Sequence, residues 1–232
     1  MVLANGTRQT LRAATASSAR VASVAARRDL RAIVIIFALE GSYDAMARIK
    51  PLAPADFPAD ARRFFAGSEV HASDGVWAHR PDLLVPYRTF LKALAERSLL
   101  PARLVELVRL RIAFHNQCRS CMARRTPAAV ADGLTEDLVC QLAAPEEAPD
   151  LDGRARAALH YADLIATRHM EIDDATFDRL REHFSEAEIV ELGVHCAIFL
   201  GFGRLSMSWN LVDDLPDRFQ DRNALVTPWA TA

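Results

Sequence analysis

The sequence predicts an all-α protein, a single bundle of six to eight helices. Glycine is scarce, with 9 residues in a chain of 232, whereas Ala, Leu, Arg and Glu are plentiful, which favours helices. Apolar side chains recur every three to four positions through several segments, as they do on one face of a helix. No segment shows the alternation of a strand, and no tandem repeat of the solenoid type is present.

The predicted helices have start and stop signals. Pro81 suits the first turn of a helix, and Asn116 and Gly133 are residues at which helices end. Ser185 and Glu188 have the form of a capping box, which opens a long apolar helix. The predicted helical segments are residues 54–66, 81–94, 104–113, 118–131, 135–142, 155–168, 174–183 and 186–211.

The predicted domain occupies residues 46–215, and the segments on either side differ from it in composition. Residues 1–45 are rich in Ala, Arg, Ser and Thr, and their first acidic residue is Asp29. We expect this extension to be disordered. It has the composition of a transit peptide, and the simpler explanation is a misassigned start, with Met46 as the true first residue. Residues 216–232 are polar and are predicted to form a loose tail.

Composition and charge argue against several functional classes. A net charge of -2 indicates neither nucleic acid nor an anionic membrane as a partner. The most apolar run, residues 32–39, is shorter than the roughly 20 residues that span a bilayer. It follows Arg27 and Arg28 as in an export signal, but Glu40 ends it. Four cysteines in a chain of this length do not make a disulfide scaffold, and we predict a cytoplasmic protein.

Two cysteines three positions apart, Cys118 and Cys121, are the most informative feature. Positions i and i+3 share a helix face, which brings the sulfurs within reach of a disulfide. The spacing is typical of a redox couple or of half a metal site. A closed zinc site needs four ligands, and only His115, His195 and Cys196 are candidates to complete one. Unreactive core thiols are the third alternative.

The position of the pair at the start of a predicted helix favours redox chemistry. Free N–H groups and the helix dipole there favour a thiolate, and Arg125, four residues after Cys121, adds positive charge. The alternative for Arg125 is a solvated charge. A thiolate that meets a hydroperoxide gives a sulfenic acid, which a second thiol converts to a disulfide. Cys118 and Cys121 could take these two roles.

Glu106 is a candidate acceptor for a thiol proton. On one straight helix it would lie on a different face from Cys118, so the chain must turn between them, and we place the turn at Asn116-Gln117. The alternative for Glu106 is a surface glutamate in an ion pair with Arg103 or Arg109 at helical spacing. The other thiols have simpler interpretations: His195-Cys196 are predicted to pack within the long helix, and Cys140 is predicted to be a core thiol.

Together these motifs resemble the carboxymuconolactone decarboxylase superfamily, and within it the alkylhydroperoxidase AhpD-like branch. The resemblance rests on Glu106, eleven intervening residues and the Cys118-x-x-Cys121 pair, with residues 80–84 (Arg-Pro-Asp-Leu-Leu) before and 132–135 (Asp-Gly-Leu-Thr) after. The segment 187–192 and the helix that follows it are similar to the closing helix of the family. The resemblance covers about residues 55–212.

The resemblance implies an AhpD-like helical bundle, a homo-trimer or hexamer, and thiol peroxidase or disulfide-reductase chemistry. Of these we predict a thiol peroxidase that reduces small hydroperoxides. The resemblance also implies that Cys121 is the peroxidatic cysteine, that Cys118 closes the disulfide and that Glu106 belongs to a proton relay. It further implies a dithiol reductant, lipoyl-bearing or thioredoxin-like, and neither an organic cofactor nor a metal.

The sequence departs from the family at two relay positions. The family has a histidine four residues after the second cysteine and often another directly before that cysteine, where this chain has Arg125 and Ser120. His115 is a candidate substitute, with a capping or solvent-facing histidine as the alternative. The missing histidines favour a non-catalytic redox-sensing or assembly protein as one alternative function. A carboxymuconolactone decarboxylase-like lyase is the other, although such lyases do not need the cysteine pair.

Overall fold

The computed structural model describes residues 47–66, 70–221 and 223–229, and every regular element within them is a helix. The all-α fold class is therefore confirmed. The predicted extension 1–45 and the alternative start at Met46 lie outside the described residues. The α-helices are α1 (Ala59–Phe64), α2 (Ala72–Trp77), α3 (Pro81–Glu96), α4 (Ala102–Asn116), α5 (Arg119–Met122), α6 (Pro127–Ala131), α7 (Glu136–Cys140), α8 (Gly153–Thr167), α9 (Asp174–Arg181) and α10 (Glu186–Trp209).

Helix α4 is the centre of the bundle and packs against α8 and α10. Its side chains Leu107, Leu110 and Ile112 are fully or almost fully buried, and Leu159 of α8 and Leu192 of α10 join the same core. A helix that is buried on more than one side belongs in the interior of a domain. The cysteine pair follows α4 directly and is thereby attached to a helix of the core.

The capping box predicted for the long apolar helix is confirmed at the start of α10. The Ser185 hydroxyl accepts from the Glu188 N–H, and the Glu188 carboxylate accepts from the Ser185 N–H at 2.8 Å. By length and composition α10 could cross a membrane, although no run of that kind was predicted from the sequence. It packs against α4 and α8, while its outer face exposes Val190 (67% accessible) and Leu205 (38%).

The turn predicted at Asn116-Gln117 is confirmed. Gln117 has φ of 51°, a left-handed conformation that ends α4 and redirects the chain. The single helix predicted over 118–131, however, is wrong, because it is broken into α5 and α6. Pro127 at the first position of α6 has no N–H to donate and disfavours a helical residue before it, so the chain between Met122 and Pro127 is not helical.

Helices α1 to α3 form a layer that reaches α10 through aromatic side chains. Helix α3 packs against α1 and α2. The rings of Trp77 and Trp209 are 5.7 Å apart in an edge-to-face arrangement, and those of Tyr87 and Phe202 are 4.3 Å apart. Such contacts stabilise beyond the area that they bury. They hold the C-terminal half of α10 against α2 and α3.

The described residues 212–221 and 223–229, which follow the end of α10, are called here the C-terminal segment. A loose tail was predicted from Pro216, but the segment makes many contacts. Phe219 lies in a 3-10 turn (Asp217–Phe219) and is fully buried, and Val212 and Leu215 are nearly so. These side chains share a small apolar cluster with Cys118 and Met122. The segment therefore packs against the cysteine pair.

Candidate active site

Cys118 and Cys121 form a disulfide, as their spacing predicts. Cys118 is the N-cap of α5 and Cys121 is its third residue, and their Cα atoms are 5.2 Å apart. Helix α5 has only four residues, so the N-terminal dipole expected beside the pair is that of a single turn. The side chain of Cys118 is fully buried, whereas that of Cys121 is partly exposed. A molecule arriving from solvent therefore meets Cys121 first.

The surroundings of the sulfurs are mostly apolar. Ala113, Met122, Phe219 and other side chains of the small cluster pack around them. The Ser120 hydroxyl, at a position where the family has a histidine, is 3.7 Å from Cys118 Sγ. It can donate a weak hydrogen bond to sulfur but is not a base near neutral pH.

Glu106 is linked to the pair through Arg109. The carboxylate is 1% exposed and binds the Arg109 guanidinium with two hydrogen bonds of 2.7 Å. Arg109 also donates to the carbonyl oxygens of Cys121 at 2.7 Å and Arg124 at 2.9 Å. The Thr126 N–H donates to Glu106 Oε1 at 3.1 Å. The ion pair with Arg109 matches the alternative interpretation of Glu106, but the expectation of a surface glutamate is wrong, because the residue is buried.

Electrostatics keep the Glu106 carboxylate ionised. Burial alone would raise its pKa, but the hydrogen bonds and charge of Arg109, with the Thr126 N–H, outweigh burial and lower the pKa. A carboxylate with a lowered pKa and three donors bound to it is a poor proton acceptor. Its contacts suit it to hold the backbone of residues 121–126 in place.

His115 lies on the other side of α4 from Glu106. Nine residues separate them, which at about 3.6 residues per turn places them on opposite faces. His115 Nε2 is 2.7 Å from Asp163 Oδ1 on α8, and Arg111 binds both oxygens of the same carboxylate at 2.7 and 2.9 Å. Burial would raise the pKa of Asp163, but His115 and Arg111 outweigh it and lower the pKa. The structure thus brings His115 to Asp163 and does not join it to Glu106.

Arg125, at the other relay position of the family, forms an ion pair. It binds both oxygens of Glu136 at 2.8 and 2.9 Å and donates to the carbonyl oxygens of Met122 at 2.8 Å and Pro228 at 2.6 Å. It is neither a solvated charge nor, by these contacts, a partner of the sulfurs. It connects the residues after the pair to α7 and to the C-terminal segment.

Sequence reasoning missed residues that hold this turn. Arg119 is buried, with 3% exposure, and binds Gln117 Oε1 at 2.7 Å. Asn116 donates to the Phe199 and Leu200 carbonyl oxygens of α10 at 2.9 and 3.2 Å. Local sequence gives no signal for these contacts, because their partners are distant in the chain or depend on the left-handed turn at Gln117. Only the pairing of Arg109 with Glu106 was visible as helical spacing.

His195, Cys196 and Cys140 lie away from the disulfide. His195 and Cys196 are buried in α10 as predicted, and burial raises the pKa of Cys196 to about 12. His195 Nε2 is 3.5 Å from Glu191 Oε1. The prediction that Cys140 is a core thiol is wrong, because the residue is exposed at the end of α7.

Comparison with known sequences matches the central part of the chain. The profile of the carboxymuconolactone decarboxylase family matches residues 81–164, which include the cysteine pair, Glu106 and His115. The uncharacterized proteins Rv2313c and MT2376 from two strains of Mycobacterium tuberculosis are 37% identical over 119 residues. That region is 50% of this chain and 41% of each relative, so the chain spans less than half the length of the curated relatives that it matches.

Several solved structures share the fold. An alkylhydroperoxidase AhpD core protein from Ralstonia eutropha has a TM-score of 0.64 at 23% identity, over 75% of this chain and 94% of that one. A peroxidase-related protein from Silicibacter sp. TM1040 gives 0.60 at 18% identity, over 78% and 99%. The debrominase Bmp8 gives 0.63 at 18% identity, over 77% and 99%. At these identities the likeness establishes the fold.

Proposed function

Because residues 81–164 belong to the carboxymuconolactone decarboxylase superfamily and the fold is AhpD-like, we propose that this protein is a thiol-dependent peroxidase. Its substrate class is small hydroperoxides, and its reaction runs through Cys118 and Cys121. The observation that carries the proposal is the bonded pair itself, in which Cys121 is partly exposed and Cys118 is fully buried.

The proposed cycle transfers two electrons per hydroperoxide. The Cys121 thiolate attacks the peroxide, the O–O bond breaks, the alcohol leaves with a proton and Cys121 becomes a sulfenic acid. The Cys118 thiol then attacks that sulfur, so the S–S bond forms and water leaves. A dithiol supplies two electrons and two protons, restores both thiols and becomes a disulfide itself.

The unequal exposure of the two cysteines supports this division of roles. Cys121 is partly exposed and can meet a substrate, whereas Cys118 is fully buried. A buried thiol beside a sulfenic acid reacts intramolecularly, which gives it a high effective concentration. Rapid disulfide closure protects Cys121 from further oxidation.

We propose supporting roles for the charged residues. Glu106 acts through Arg109, which holds the Cys121 carbonyl oxygen, so Glu106 is a positioning residue rather than the proton relay expected from the family. His115, on α4, is oriented by Asp163 of α8 and supports the site from that side. Ser120 lies near Cys118 Sγ and can donate a hydrogen bond to it.

Peroxide turnover with a dithiol tests the function. Consumption of tert-butyl hydroperoxide by the full chain would be followed with dihydrolipoate as reductant. We expect Cys121→Ser to abolish turnover and Cys118→Ser to stop it after one oxidation of Cys121. Cys140→Ser is the matched control, because Cys140 is an exposed thiol outside the pair, and it should leave turnover unchanged. Unchanged turnover in Cys121→Ser would defeat the proposal.

A redox sensor that oxidises once is the second candidate. Arg125 and Ser120 stand at the histidine positions of the family, and Arg125 is engaged by Glu136 and Pro228. The same assay separates the two functions. A peroxidase consumes many equivalents of hydroperoxide and a sensor consumes one. The third alternative, a lyase, leaves the hydroperoxide untouched.

We also propose a partner and a setting for this chemistry. The reductant would be a lipoyl-bearing or thioredoxin-like dithiol protein in the cytoplasm. Self-association as a trimer or hexamer would cover the apolar outer face of α10, where Val190 and Leu205 are exposed. Light scattering of Val190→Lys against the unchanged protein tests that face.

A further inference from the structure

The C-terminal segment is held by side chains that flank the disulfide. We call residues 117–125 the redox turn. Gln117 Nε2 donates to the Val226 carbonyl oxygen at 3.1 Å, and the Val226 N–H donates to Gln117 Oε1, also at 3.1 Å. This reciprocal pair resembles one rung of a β-ladder, with a side-chain amide in place of one strand. It joins positions 109 residues apart in the chain.

Two arginines of the redox turn hold the same segment. Arg119 donates to the carbonyl oxygens of Asp221 at 3.3 Å and of Ala224. Arg125 donates to the Pro228 carbonyl oxygen at 2.6 Å. All these acceptors are backbone carbonyl oxygens, so the two arginines bind the backbone of the segment rather than its side chains. The three anchoring side chains, those of Gln117, Arg119 and Arg125, precede, separate and follow the two cysteines.

The underside of the segment is apolar and closes over the buried sulfur. Phe219 is fully buried and shares a cluster with Cys118 and Met122, and Val226 packs against it. The Trp229 ring is 5.0 Å from that of Phe114, the residue four before Cys118. A neutral disulfide is compatible with this cover. A thiolate at Cys121, which packs against the same cluster, is not, because burying a charge among apolar groups is costly.

Reduction should therefore loosen the cover for two reasons. It can place a negative charge on Cys121, which packs against the cluster of Phe219 and Val226, and it removes the crosslink that holds the Cα atoms of Cys118 and Cys121 5.2 Å apart. Gln117, Arg119 and Arg125 would then be carried on a less restricted turn. The hydrogen-bond distances between these three side chains and the segment are those of the disulfide form.

We propose that the C-terminal segment is a redox-linked strap, docked over Cys118 in the disulfide form and released when the pair is reduced. This inference rests on the proposed redox cycle and adds its regulation. By linkage, a strap that binds the disulfide form more tightly also stabilises the disulfide against reduction by the same factor. While it is docked, the strap slows reduction of the disulfide. Once it is released, the reduced site is open to the next hydroperoxide.

Hydrogen exchange of the full chain tests the strap directly. Backbone amides of Phe219 and Val226 would be followed by mass spectrometry, with and without dithiothreitol, which supplies two electrons and two protons and cyclises to its own disulfide. We expect these amides to exchange on the order of tenfold faster after reduction. Amides of α10 are the internal reference and should not change. The double variant Cys118→Ser/Cys121→Ser should show no response to dithiothreitol.

A single substitution tests the anchoring. Gln117→Gly keeps the left-handed turn, which glycine adopts readily, but removes both hydrogen bonds to Val226. We expect its disulfide to be reduced by dithiothreitol on the order of tenfold faster than in the unchanged chain. Asp213→Asn, an exposed change on the same segment, is the matched control and should leave the rate unchanged.

The outcomes separate the strap from the proposed function. Equal exchange in the two redox states, or an unchanged reduction rate in Gln117→Gly, would overturn the strap while peroxide turnover stands. A pair that dithiothreitol cannot reduce would overturn the strap and the peroxidase together. Faster exchange with faster reduction supports the strap.

Discussion

The guanidinium of Arg109 joins the carboxylate of Glu106 to the carbonyl oxygen of Cys121. It holds Glu106 with two hydrogen bonds and the carbonyl oxygen with a third, each of 2.7 Å. Charge-assisted, two-pronged bonds of this kind are among the strongest in proteins. Since Glu106 and Arg109 both lie on α4, the central helix fixes the backbone at Cys121.

Loss of Arg109 should be strongly destabilising. Arg109→Ala leaves Glu106 buried and uncompensated, and removal of one partner of a buried ion pair costs about 3–5 kcal/mol. The free energy of unfolding would be measured by urea titration at neutral pH. Arg103→Ala is the matched control: Arg103 is an exposed arginine on the same helix and was the other candidate partner of Glu106, so its loss should cost less than about 0.5 kcal/mol. Equal effects of the two substitutions would contradict the assignment.

Acid should remove the contribution of Glu106 to stability. Its pKa is lowered by folding, so the contribution is fully present above the unfolded pKa of about 4.5 and is lost as the pH falls through the lower folded pKa. Urea midpoints of the unchanged chain and of Glu106→Gln would be compared from pH 7 down to pH 3. The difference between the two should be constant at higher pH and shrink below about pH 4.5. A difference that grows in acid would show that the pKa is raised instead.

Gly203 should be required for the approach of Asn116 to α10. A Cβ atom at Gly203 would lie 2.5 Å from Asn116 Nδ2. Gly203→Ala must displace the amide that binds the Phe199 and Leu200 carbonyl oxygens, and we expect a loss of about 1–3 kcal/mol.

Gly201 provides the control for that substitution on the same helix. A Cβ atom at Gly201 would meet nothing within 4 Å, so Gly201→Ala should stabilise the helix by up to about 1 kcal/mol. Calorimetric melting temperatures that shift in the same direction for both variants would contradict the packing described here.

His115 should matter less for turnover than a catalytic base would. Its Nε2 is bound to Asp163, so we expect His115→Gln to change peroxide turnover by less than about threefold, whereas loss of a general base costs roughly 100-fold or more. The pH profile of alkylation of Cys121 by iodoacetamide is the second measurement. A profile that moves with His115→Gln but not with His160→Gln would assign His115 a direct part in forming the thiolate.

Periodicity and capping signals were enough to predict the helical fold, because they depend on neighbours a few residues apart. The Ser185–Glu188 box and the turn at Gln117 are examples. The break of the helix predicted over 118–131 falls before Pro127, a residue that local sequence already shows to be unfavourable inside a helix.

The site was predictable in its chemistry but not in its supports. The cysteine spacing gave the disulfide, and helical spacing allowed the pairing of Glu106 with Arg109. The contacts of Gln117 with Val226 and of Arg125 with Pro228 join positions more than a hundred residues apart. Such contacts follow from tertiary packing, for which no local pattern exists. The same holds for Cys140, whose exposure depends on the orientation of the short helix α7.

Thiol counting after hydroperoxide treatment tests the central claim most directly. The fully reduced chain contains four cysteines, and one equivalent of tert-butyl hydroperoxide should remove two free thiols. Peptide mapping should place both in a Cys118–Cys121 disulfide, and dihydrolipoate should restore them over repeated cycles. Retention of all the thiols, or oxidation confined to Cys140, would contradict the account.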